Sequence, residues 1–126
     1  MIIIIRQAWD AVMSTGSLTI LDIVRHRINY HPGQIKKFCH RWSVRELAFF
    51  GSILRDEFRP DSDVDVLISF TPDAPWSLFD LITMQGELET MFQRPVDLVE
   101  REGLRNPFRK RHIFNNMKVI YERSRA

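Results

Sequence analysis

The chain has a single cysteine, Cys39, so no intramolecular disulfide can form and the fold does not depend on an oxidising compartment. Its four histidines, His26, His31, His40 and His112, show none of the spacings that bind a metal. Long apolar runs are missing as well. The opening MIIII is five residues long before Arg6, short of a signal-peptide core or a membrane span, so a cytoplasmic protein without a membrane partner is expected. There are no internal repeats or low-complexity tracts, and aromatic and basic residues do not interleave as on a dedicated nucleic-acid surface. What remains is ordinary globular material. With 126 residues, 44% hydrophobic and 27% charged, the chain can bury one core.

The net charge of +2 hides an asymmetry: residues 1–100 carry ten Lys/Arg against fourteen Asp/Glu, and residues 101–126 carry eight against two. A basic tail can serve phosphates, nucleic acid or an acidic protein partner, and it can also be a solvated helix face. Within it, Arg105, Arg109 and His112 stand at helical intervals, which predicts one basic side apart from Phe114 and Met117. This segment, with Lys110, Arg111 and Lys118, is expected to lie outside the chemical motifs and to dock a partner.

The chemistry concentrates in residues 51–65, GSILRDEFRPDSDVD. Gly51 permits a sharp turn and close backbone approach to a ligand. Ser52 follows at the mouth of the next element, where N–H groups and a hydroxyl can hold phosphate oxygens. Asp63 and Asp65 are two apart, so on a strand their carboxylates share a face, as suits hard oxygen ligands for Mg²⁺. Apolar runs flank the segment. Residues 44–50 (VRELAFF) read as a strand feeding the glycine turn. In residues 63–70, Val64, Val66, Ile68 and Phe70 are predicted to bury on one face, with Asp63, Asp65, Leu67 and Ser69 on the other. A third strand over residues 95–100 (PVDLVE) carries Asp97. If it lies beside the Asp-x-Asp strand, three carboxylates converge and can hold two divalent ions.

Gly-Ser-x10-Asp-x-Asp with a downstream strand Asp resembles the DNA polymerase β-type nucleotidyltransferase superfamily. The resemblance is closest to its minimal members, the MNT antitoxins of HEPN–MNT toxin–antitoxin pairs. It spans residues 34–122 and rests on Phe49-Phe50-Gly51-Ser52, Arg55, Pro60 to Asp65, Arg94 to Val99 and Val119-Ile120-Tyr121. It implies that Asp63, Asp65 and Asp97 are catalytic metal ligands, that Gly51 and Ser52 bind the triphosphate, and that Arg55 lies near the phosphates. Leu54-Arg55-Asp56 stands where the family has Ala-Arg-Gly. Arg55 also has Asp56, Glu57 and Asp61 within reach as ion-pair partners. Ser62 either orients the carboxylates, as a nucleotide-site residue, or closes a turn with Asp61. The implied fold is α+β: a mixed β-sheet with helices mainly on one face. The implied activity is Mg²⁺-dependent transfer of AMP from ATP to a hydroxyl, a tyrosine of a cognate HEPN ribonuclease toxin. A non-catalytic binding antitoxin and a small-molecule adenylyltransferase are the alternatives. Arg25/His31 and Arg105/His112 have spacings like a HEPN nuclease motif, but Pro32, directly after the first pair, and Pro107, inside the second, disturb both contexts.

Local signals order the rest. An arm and helix over residues 1–33 precede a nucleotidyltransferase domain over 34–126, residues 1–17 being the arm. Residues 19–29 read as a helix capped by Thr19 and Asp22, with Ile20, Ile23, Val24 and Ile28 on its apolar face. His31-Pro32-Gly33 breaks it, and a helix over 34–42 leaves Cys39 half-buried. Ser77 caps a helix to residue 92 with a core stripe of Leu78, Leu81, Ile82, Leu88 and Phe92. Asn106-Pro107 opens the last helix, ending near Met117, and KVIYE closes as a strand.

Overall fold

Side-chain caps set where the helices begin. In the computed structural model, which describes residues 19–123, Thr19 accepts from the Asp22 N–H while the Asp22 carboxylate accepts from the Thr19 N–H. This capping box starts α1 (Ile20–Arg27). Ser77 and Asp80 repeat it at the start of α3 (Leu78–Phe92). Asn106 caps α4 (Pro107–Asn115), and its side chain accepts from Phe108 and Arg109 N–H groups. Pro32 does not merely interrupt a helix. It is the first residue of α2 (Pro32–Arg41), where its missing N–H costs nothing. The expected arm over residues 1–17 lies outside the described residues.

Four strands follow the alternation read from the sequence: β1 (Val44–Phe50), β2 (Val64–Phe70), β3 (Val96–Glu100) and β4 (Lys118–Glu122). They form one mixed sheet in the order β3-β2-β1-β4. β1 is antiparallel to β2 and to β4, and β2 is parallel to β3. The fold is therefore α+β as expected. One sheet face carries the main core, where Val24, Ile35, Phe38, Met84, Leu88 and Phe92 from α1, α2 and α3 meet Leu47, Phe49, Val64, Val66 and Ile68. Phe49 and Phe92 pack with ring centroids 5.5 Å apart.

The second face is thinner. Ala48, Phe50 and Leu67 lie under Leu104 and Ile113, with Phe114 and Met117 at the edge. Leu67 and Ser69 are consequently buried rather than simply opposed to the core face. The Ser69 hydroxyl is satisfied by donating to Glu102 and accepting from Arg45. The α3 stripe also differs from expectation. Met84, Leu88 and Phe92 are buried, whereas Leu78 is 70% and Ile82 57% exposed. At about 100° per residue, Ile82 is roughly a third of a turn away from Leu88, so it cannot share that face. Cys39 is fully buried, and burial pushes its thiol up to about 12. Among the described residues, no helix is long and apolar enough to cross a membrane.

Candidate active site

β1 ends where the candidate site begins. Gly51 takes a left-handed φ of +77° and opens a single 3-10 turn (Gly51–Leu54). Antiparallel pairing places Phe50 opposite Asp65 on β2, so the glycine lies directly against that carboxylate. A Cβ built at Gly51 would land on the Asp65 carboxylate oxygen and only 3.0 Å from its Cγ. The turn and the contact both demand glycine.

Parallel register aligns Asp65 with Asp97, so the two carboxylates stand side by side on neighbouring strands. Asp63 immediately precedes β2 at the same edge of the sheet. Burial first, then the negative charges of Asp97 and Asp63, raise the Asp65 pKa above the ordinary carboxylate value. Arg55 and Arg109 oppose that rise. Asp97 and Asp63 are thus each near enough to repel Asp65, with two cations in range. Among the described residues, no three His, Cys, Asp or Glu side chains close into an all-protein metal cage. A hard divalent cation still suits this donor set, because Mg²⁺ usually rests on one or two carboxylates and completes its shell with substrate phosphates and water.

The other expected site residues sit around this edge. Ser52 follows Gly51 in the turn and is partly exposed. Arg55 makes an ion pair with Glu57 at 3.1 Å while its charge reaches Asp65. The Ser62 turn closes with Arg59 and not with Asp61: its hydroxyl accepts from the Arg59 N–H at 2.9 Å, and its own N–H donates to the Arg59 carbonyl. Arg109 departs from expectation. Rather than lying outside the motifs, it brings its charge to Asp65 from α4, which covers the same sheet face as that carboxylate.

Comparison with known proteins gives this edge its setting. Residues 32–120 match the nucleotidyltransferase domain family. The chain belongs to that family. The protein adenylyltransferase MntA of Thermococcus cleftensis is 39% identical over 94 residues, covering 75% of this chain and 90% of MntA. A crystal structure of a toxin–antitoxin with AMP-PNP superposes with a TM-score of 0.61 at 14% identity, over 75% of each chain. A structure of tri-AMPylated Shewanella oneidensis HEPN toxin in complex with MNT antitoxin superposes with a TM-score of 0.54 at 15% identity, over 73% of this chain and 70% of that one. These two show a shared fold, as the minimal-nucleotidyltransferase resemblance implies.

Two arginines to which sequence reasoning gave no role, Arg94 of the Arg94–Val99 motif and Arg27, brace this nucleotidyltransferase's site loops. Arg94 donates through Nη1 to the carbonyls of Arg59 and Ser62, at 2.9 and 3.0 Å, holding the segment that leads into Asp63. Its guanidinium lies 4.6 Å from the centre of the buried Phe58 ring, and that of Arg27 lies 5.8 Å from the same ring. Both contacts join residues more than 30 apart in sequence, which no local periodicity reveals.

Proposed function

We propose that this protein transfers AMP from ATP to a hydroxyl, and that the acceptor is a tyrosine of a partner HEPN toxin, which the modification silences. The observation that carries this reading is the placement of the Gly51 backbone directly against Asp65, itself in register with Asp97. That arrangement sets a backbone turn without a side chain beside a carboxylate pair. MntA of Thermococcus cleftensis, which is named a protein adenylyltransferase, supports the reaction class. The AMPylated HEPN toxin bound to an MNT antitoxin supports the acceptor class.

Gly51 and Ser52 would receive the triphosphate, with the Arg55 guanidinium nearby to offset its charge. Asp63, Asp65 and Asp97 would hold Mg²⁺, whose charge when bound offsets the triphosphate and lowers the pKa of an attacking hydroxyl. Asp97, exposed at the sheet edge, would accept the acceptor's proton. The hydroxyl oxygen attacks the α-phosphorus and a new O–P bond forms. The bond from that phosphorus to the β-phosphate oxygen breaks, and pyrophosphate leaves with the electron pair. Fixed geometry contributes most, since Asp65 is held by the sheet on one side and by Gly51 on the other.

The test is incubation with Mg²⁺, α-labelled ATP and the protein encoded by the neighbouring gene, reading label on protein. Label on a tyrosine of that protein is expected. A partner that binds tightly but never acquires label would instead make this chain a binding antitoxin.

A further inference from the structure

Arg27 and Ser69 are the two polar side chains buried among the described residues, Arg27 being 5% exposed. Ser69 has its hydrogen-bond partners on the sheet, as above. Arg27 is in a different position. It sits in the last turn of α1, and no ion pair among the described residues includes it. Burial depresses its pKa, with Asp56 and Glu57 acting against the shift from a distance. An arginine stays charged even so. A buried cation with no carboxylate is costly, so its hydrogen-bond partners matter.

Those partners are all in one place. Nη1 points at the backbone carbonyls of Ser52, at 3.5 Å, Ile53, at 2.7 Å, and Arg55. These belong to the 3-10 turn that follows Gly51 and to its C-cap residue. The Ser52 carbonyl also accepts the Arg55 N–H that closes the turn, and carbonyls at the end of a helical turn carry partial negative charge. A guanidinium is well suited to gather them. Its Nε is buried without a partner, so the side chain is committed to this loop rather than to a balanced network. The Arg27 and Arg94 guanidiniums both lie against the Phe58 ring, tying this loop to the next one. The loop has little slack, because Gly51 already touches the Asp65 carboxylate. α1 also lies before residue 32, where the match to the nucleotidyltransferase domain begins.

We propose that Arg27 is a positioning residue for nucleotidyl transfer: from α1 it holds the Ser52–Arg55 carbonyls, and so keeps the Gly51–Ser52 backbone in place against Asp65 for the triphosphate. This rests on the reading of Gly51–Ser52 as the triphosphate cradle. Arg27 touches no reacting atom and acts through the loop. A lysine at 27 keeps charge but loses the fork, and a glutamine loses both.

The experiment uses the full chain with Arg27→Gln, Arg27→Lys, Arg27→Ala and Asp65→Asn. Binding of Mg–α,β-methylene-ATP is measured by calorimetry, and amide hydrogen exchange is followed at residues 52–55 without nucleotide. In Arg27→Gln, nucleotide affinity should fall on the order of 10- to 100-fold, with faster exchange confined to the loop. Arg27→Lys should lie between it and the parent. Guanidinium at a few tens of millimolar should restore part of the affinity of Arg27→Ala, and sodium chloride at equal strength should not. A role limited to packing moves the melting temperature alone. The proposal is overturned if folded Arg27→Lys and Arg27→Gln bind nucleotide and protect the loop like the parent while Asp65→Asn loses transfer. Should Arg27→Gln not fold, Arg27→Lys decides by the same criteria. Parental nucleotide binding and transfer in Asp65→Asn would overturn the site reading itself, and the proposal with it.

Discussion

The two faces of the sheet do different work. One face is covered by α1, α2 and α3 and buries Phe49, Val66, Ile68, Leu88 and Phe92. The other has a small apolar cluster under α4, and at its edge stand Asp65 and Asp97. The same strand serves both: Val64, Val66 and Ile68 point to the thick side while Asp65 and Leu67 point to the thin one. Period-two alternation lets β2 anchor the fold with one set of side chains and present carboxylates with the other. Stability and chemistry are therefore separable by residue, and substitutions on each face should fail in different ways.

The largest contrast is between a carboxylate and a core ring. Asp65→Asn should lower transfer by on the order of 10³-fold while the protein stays folded, because an amide keeps the shape but loses the charge. Phe49→Ala should instead destabilise the fold by about 3–5 kcal/mol, with loss of activity tracking the unfolded fraction. Turnover measured beside chemical denaturation separates the two. A folded, active Phe49→Ala, or an unfolded Asp65→Asn, would break the comparison.

Gly51→Ala comes next, since it strikes the point where the faces meet. A methyl group at φ +77° is strained and would push into the Asp65 carboxylate. Transfer should fall by about 100-fold with a modest loss of stability, read by kinetics and a thermal melt on the same sample.

Much of this plan was legible in the chain itself. Thr19/Asp22, Ser77/Asp80 and Asn106-Pro107 each use a local hydrogen-bond rule, so three helix starts followed from short spacings. The alternation in β2 and β3 put Asp65 and Asp97 on common faces, and the sheet brought them into register. What stayed hidden depends on distant partners. Arg27 meets residues 52–55, and Arg109 brings its charge to Asp65 from α4, neither of which a periodic pattern encodes. Leu78 and Ile82 were misplaced for another reason: both are apolar, but helix phase sets Ile82 off the buried stripe and Leu78 is the exposed first residue of the helix.

A smaller effect tests the electrostatics of the thin face. The Asp65 pKa is raised in the folded protein, so the native state binds its proton more tightly than the unfolded state does. Its ionisation therefore subtracts stability as pH rises through the folded-state value, and the penalty is absent below the unfolded-state value. Metal-free Asp65→Asn should melt higher than the parent at neutral pH, and the gap should close on acidification. A melt series across acid to neutral pH checks this, and a variant less stable than the parent at neutral pH would contradict it.

The smallest effect distinguishes two arginines of the basic segment. Arg109→Glu removes a cation acting on Asp65, so the acid limb of the transfer profile should move to higher pH and activity below neutrality should drop roughly two- to fivefold. Arg105→Glu should leave that limb in place and weaken modification of the partner, with ATP binding unchanged. Both effects should shrink with salt, since exposed charges are screened beyond about 8 Å at physiological ionic strength.

The most direct test of the central claim follows the two ends of ATP separately. The parent, Asp63→Asn and Asp65→Asn are each incubated with Mg²⁺, the neighbouring gene's protein, and ATP labelled at either the α- or the γ-phosphate. The account predicts α-label on the acceptor protein with the parent, no γ-label, and neither label with the two variants. Transfer of γ-label, or parental α-labelling by either variant, would contradict the assignment of nucleotidyl transfer to this carboxylate edge.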